Sequence, residues 1–129
     1  MRASRKSRIA VCGVLAALLL GLPATPAHAH HSGAIFDMAH PITISGSVTK
    51  VEWMNPHAYL YLNVADEQGH VHEWAIETNS PNFLKHNGWT STTVSPGDRI
   101  TVTGAPARTG AYFMHATMVQ LPGGSQLRS

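Results

Sequence analysis

Cysteine is almost missing from this chain: Cys12 is the only one in 129 residues. It also lies in a segment with the marks of an export leader, so no internal disulfide and no CxxC redox pair can form. No HExxH metal helix, phosphate-cradling glycine loop or nucleophile elbow is present either. The one long apolar run, Ile9 to Leu20, has twelve residues, short of the roughly 20 that a membrane-crossing helix needs. Basic residues are scarce beyond that run. Past residue 29 only Lys50, Lys85, Arg99, Arg108 and Arg128 remain, against seven carboxylates. That balance leaves about two negative charges and no basic stripe, which argues against a nucleic-acid partner.

What is present begins with the leader. Arg2, Arg5, Lys6 and Arg8 precede the apolar run, and a helix-breaking GLPATPAHA stretch follows it. This is the order of a cleavable Sec-type signal peptide over residues 1–29. The tight twin-arginine signal is absent, and Cys12 lies too early to be a lipidation site. Ala27-His28-Ala29 satisfies the small-x-small cleavage rule, which predicts His30 as the mature N-terminus. Cutting after Ala27 is the weaker option. The chain is therefore expected in the periplasm, with no membrane span.

The remaining hundred or so residues suit one domain with a single modest core. Residues 30–41 read as a histidine-containing arm, 42–122 as the folded domain and 123–129 as a disordered tail. In ITISGSVTKVEW the apolar residues change parity close to Gly46, which predicts a bulged, strongly bent first strand. HAYLYLNVA alternates cleanly, DEQG makes a hairpin turn, and HVHEWAIE returns. Ser80-Pro81 and Gly88 bracket a short helix. SPGD forms a turn with Pro96 and Gly97 central, and RITVTGAPA and AYFMHATMVQL supply the last two strands. The order β-β-β-α-β-β predicts an all-β, five-stranded OB-like barrel with one short helix between strands 3 and 4.

The chemistry centres on histidine. A chain starting at His30 carries a free α-amine and an imidazole on one residue, and the two can chelate a single metal ion. A second imidazole completes the nitrogen set called a histidine brace. A start at His28 instead offers a square plane of amine, amide and imidazole nitrogens. Both sets favour copper or nickel over zinc. His57, at the mouth of a strand and opposite its aliphatic face, is the expected second ligand, with His31 as an alternate. The bland reading makes the arm a polar leader remnant and His57 a turn-bonded histidine. His70 and His72 share a strand face but read as the solvated end of a hairpin. His115 lies beside Met114 and near Met118, thioethers suited to Cu(I), although such methionines are ordinarily packing. His40 and His86 read as loop and helix-surface residues. Glu73 and Glu77 read as an exposed sheet face rather than an acid/base pair.

The motifs HHS, FD, G-x-V-T-K-V-E-W-x-N-P-H, W-A-I-E, S-P-N-x-L, G-W-T and P-G-D-x-I-T-V-x-G occur in that order. With them the chain resembles an uncharacterised family of small exported bacterial proteins, a domain of unknown function. The resemblance runs from about His30 to Pro122. It implies a Gram-negative periplasmic location and carries no activity with it. Matching positions include His30, His31, Asp37, Trp53, Asn55, Pro56, His57, Glu77, Pro81, Asn82 and Gly88. The last hairpin, richer in Met and His, departs from the pattern, so the resemblance does not extend to His115.

The leading expectation is a periplasmic protein that binds a copper ion through His30 and His57, for capture, buffering or delivery. Periplasmic protein partners fit such a role. Turnover is the lesser expectation, because no broad aromatic substrate face is identifiable. The rival is a metal-free binding or scaffold module for a peptide, lipid or protein partner, using the face around Trp53, Tyr59 and Tyr61.

Overall fold

Strict alternation in Tyr59-Leu-Tyr-Leu-Asn-Val-Ala65 puts Leu60, Leu62 and Val64 on one side of a strand, and all three are buried. The same period-two logic organises the rest of the computed structural model, which describes residues 32–129. After a single helical turn, α1 (Ser32–Ile35), come β1 (Ile42–Glu52), β2 (Tyr59–Ala65) and β3 (Val71–Glu77). The helix α2 (Pro81–His86) leads to β4 (Arg99–Pro106), β5 (Phe113–Gln120) and β6 (Gln126–Arg128).

The sheet order is β3-β2-β1-β4-β5-β6. A parallel pairing of Ala75–Glu77 with Phe113–His115 joins β3 to β5 and closes five strands into a barrel. This is the expected OB-like architecture, and the helix falls between strands 3 and 4 as expected. Among the described residues no helix is long and apolar enough to cross a membrane.

β1 serves two neighbours. Its first half, Ile42–Ser47, pairs with β4, and its second half, Ser47–Glu52, pairs with β2. Gly46 sits beside the changeover. A Cβ there would stand 2.5 Å from the Asn63 carbonyl oxygen, so only glycine lets the backbones approach. The register slip lies slightly later than the parity change suggests, between Val48 and Lys50.

Val48, Leu60, Leu62, Val64, Ile76, Ile100, Val102, Met114, Ala116 and Val119 fill the barrel. The α2 segment adds Leu84 to that core, and Trp89 and Val94 follow from the loop beyond it. Burying Leu84 contributes about 1.5–3 kcal/mol. Ser80 caps α2 by accepting the Phe83 N–H, Pro81 occupies the first turn, and Gly88 ends it at φ +89°.

The tail corrects one expectation. Residues 126–128, expected to be disordered, form β6 on β5. The β3 pairing uses only the first half of β5, so the Met118–Gln120 edge stands open, and β6 covers it. The Trp89 indole N–H donates to the Arg128 carbonyl at 2.8 Å and anchors the end.

Candidate metal-binding face

Residues that alternate with the core point outward, and the registers line four of them up across four strands. Glu52 on β1 pairs with Tyr59 on β2, Tyr59 with Glu77 on β3, and Glu77 with His115 on β5. The Tyr59 hydroxyl donates to Glu77 Oε2 at 2.9 Å, and the Tyr61 hydroxyl donates to Glu52 Oε2 at 3.0 Å. Burial, followed by the hydrogen bond to Glu77 and its charge, pushes the Tyr59 phenol up to about 12. Tyr61 shifts upward for the same kinds of reason, with Glu52 as its acceptor. Lys50 donates to Glu52, which raises the ammonium pKa and lowers that of the carboxylate.

Glu77 is the exception on this face, because it is 6% exposed. Its Oε1 has no hydrogen-bond partner, and His115 Nδ1 stands 3.4 Å from it. The expectation of an exposed sheet carboxylate therefore fails for Glu77. The arm packs against its neighbour His115. Phe36 pairs with Ala107 in an isolated bridge, and its ring packs 5.0 Å from Phe113 and 5.6 Å from His115. The Asp37 N–H donates to the Pro106 carbonyl and the Arg108 N–H to the Ile35 carbonyl, both at 2.8 Å. The Asp37 carboxylate accepts from His40, and that bond, with the His40 and Arg108 charges, lowers its pKa. The arm thus docks on the outer face, over the end of the Glu52–His115 row.

His57 precedes β2, just after the cis Asn55-Pro56 peptide. Its neighbour Ala58 faces the core, and the His57 ring is half-buried on the other side. Nδ1 donates to the Thr78 carbonyl at 3.0 Å. A ring held this way presents Nε2 as its lone-pair nitrogen, the orientation that metal-ligating histidines receive from a carbonyl behind them.

His30 and His31 lie outside the described residues. Tyr59 and Tyr61 come together on one face, whereas Trp53 turns inward and packs against the core. Met114 is fully buried, since successive residues of β5 face opposite sides. It therefore cannot share a ligand set with the outward His115. His70 and His72 both reach Asp66 Oδ2, at 3.3 and 3.1 Å, and close the β2–β3 hairpin. His86 donates to the Asn82 carbonyl of its own helix. Beside the hairpin, Asp66, His72, Trp74 and Tyr112 line a groove of about 410 Å³. Among the described residues no three histidine, aspartate or glutamate side chains stand close enough to hold a metal by themselves.

The Glu77–His115 neighbourhood was not foreseeable from spacing. Parity places each residue on an outer face, but only the closure of β3 onto β5 puts them side by side.

The fold and this face define a small OB-like barrel with an arm strapped across its outside. The chain belongs to a family of unknown function, DUF6152, whose model matches residues 18–115. The match takes in His30, His31, His57, Glu77 and, as its last residue, His115. No curated protein matches the chain.

Proposed function

We propose that this protein is exported to the periplasm, cleaved before His30, and binds one copper ion there through the His30 amine and imidazole. His57 supplies the second ring and His31 an alternate. The role is capture, buffering or delivery of the metal. One observation carries the reading: Phe36 fixes the arm on the outer face of the barrel, the side on which His57 and Tyr59 stand. His30 lies six positions before Phe36, and with Ser32–Ile35 helical that segment reaches at most about 15 Å. Two strand spacings, the step from β5 to β2, amount to about 10 Å. A segment of that length is long enough to span that step. The ring of His57 supports the reading independently, because its Nδ1 bond leaves Nε2 free.

The test is a copper titration of protein purified from the periplasm, with the N-terminus established by intact mass. A chain starting at His30 takes up one tight Cu(II), and His57→Ala weakens uptake by at least tenfold. A protein that starts elsewhere, or binds copper only in the micromolar range, defeats the proposal. The rival, metal-free reading draws support from the groove lined by Trp74 and Tyr112. Aromatic walls of this kind suit a peptide or another apolar ligand.

A further inference from the structure

Glu77 presents a problem in elementary bookkeeping. One oxygen, Oε2, accepts from Tyr59, while Oε1 is buried and bonded to nothing. A buried acceptor without a partner costs about 1–3 kcal/mol and calls for an explanation, commonly a water or an ion. The nearest polar atom across the face is His115 Nδ1, at 3.4 Å. That separation is long for a hydrogen bond between nitrogen and oxygen. It is also short for a bridging water. A water about 2.8 Å from each atom would subtend an angle of about 75°, well below its preferred geometry.

The separation does match a shared cation. Nitrogen and oxygen donors about 2.0–2.1 Å from one tetrahedral ion stand about 3.3–3.4 Å apart, whereas neighbours in a square plane stand about 2.9 Å apart. The surroundings also suit a ligand pair. Tyr59 holds the far oxygen of the carboxylate, and Phe36 packs on the imidazole, so both donors are oriented before a metal arrives. The His115 side chain is 21% exposed, so the pair lies close to the surface.

We infer that Glu77 Oε1 and His115 Nδ1 are the barrel's own ligands for a tetrahedrally coordinated divalent cation such as zinc. The remaining positions are open to water. The inference rests on the proposal that this face takes a metal, but not on copper as that metal nor on where the leader is cut.

The experiment is a Zn(II) titration of the periplasmic protein, repeated with Co(II) as an absorbing probe. Both are run on the wild type, Glu77→Gln, His115→Ala and His57→Ala. Thermal melts confirm that each variant is folded. Zinc is expected to bind at one site, with visible Co(II) bands of tetrahedral intensity. Glu77→Gln and His115→Ala should each weaken binding at least tenfold, and His57→Ala by much less. In the wild type, the ring nitrogen resonances of His115 should shift on saturation with zinc, a readout that needs no variant. Unchanged binding in Glu77→Gln and His115→Ala, with loss in His57→Ala, overturns the inference and leaves the proposed function standing. Unmoved His115 resonances in zinc-saturated protein overturn it as well. A chain that takes up neither zinc nor copper removes both.

Discussion

The rings of Phe36 and His115 pack 5.6 Å apart, and this contact binds the arm to the barrel wall. Phe36 is almost fully buried although it precedes every strand of the barrel. The arm is therefore part of the folded structure from Phe36 onward. Replacing that ring removes its packing against both Phe113 and His115. Phe36→Ala should cost about 3–5 kcal/mol, read by denaturant unfolding. Hydrogen exchange at the amides of Asp37 and Arg108, now bonded across the bridge, should accelerate with it.

Tyr59 and Glu77 form a part-buried polar contact on the outer face. Tyr59→Phe strips Glu77 Oε2 of its donor and should destabilise the fold by about 1–3 kcal/mol. The pH dependence follows from the direction of the shift. An unfolded tyrosine ionises near 10, and the folded Tyr59 phenol near 12. Its contribution is therefore complete below about 10 and is lost as pH rises toward 12. Unfolding midpoints of the wild type should fall across that window. In Tyr59→Phe the fall should be shallower.

Gly104 tests the close approach of β4 to β5. A Cβ at this position would lie 2.1 Å from the His115 carbonyl oxygen and 2.8 Å from Ala116 Cα, both backbone atoms that cannot step aside. Gly104→Ala should therefore cost about 3 kcal/mol or more, with the loss concentrated at the β4–β5 irregularity. Amide exchange along β5 distinguishes local opening there from a general loss of stability.

Asp66 organises the β2–β3 hairpin by accepting from the Gln68 and His70 amides and from the His70 and His72 rings. The His72 bond is the chief cause of its lowered pKa, with backbone donors adding to it. A depressed carboxylate contributes stability above its unfolded pKa near 4 and loses it as pH falls through the lower folded value. Acid unfolding of Asp66→Asn should accordingly begin from a lower plateau and depend less on pH below 4 than that of the wild type.

The strands were legible because alternation and turn chemistry are local. Leu60, Leu62 and Val64 announce their own face, and Ser80-Pro81 and Gly88 bracket their helix. An irregularity in β1 was legible too, although the register slip falls after Val48 rather than at Gly46. Features made by residues far apart in sequence were not. No spacing rule brings Glu77 beside His115, lays Phe36 over that pair, or returns residues 126–128 to the open edge of β5. His57 was picked out by its place before a strand. The carbonyl bond that orients its ring depends on Thr78, which lies on the next strand's exit.

In the proposed site a liberated N-terminal histidine and a barrel histidine share one copper ion. Electron paramagnetic resonance of the processed protein, loaded with one equivalent of Cu(II), tests it most directly. A single tetragonal signal with nitrogen hyperfine structure is expected, losing one coupled nitrogen in His57→Ala and collapsing when the terminal amine is acetylated. A signal unchanged by both modifications, in protein shown by mass to begin at His30, would contradict it.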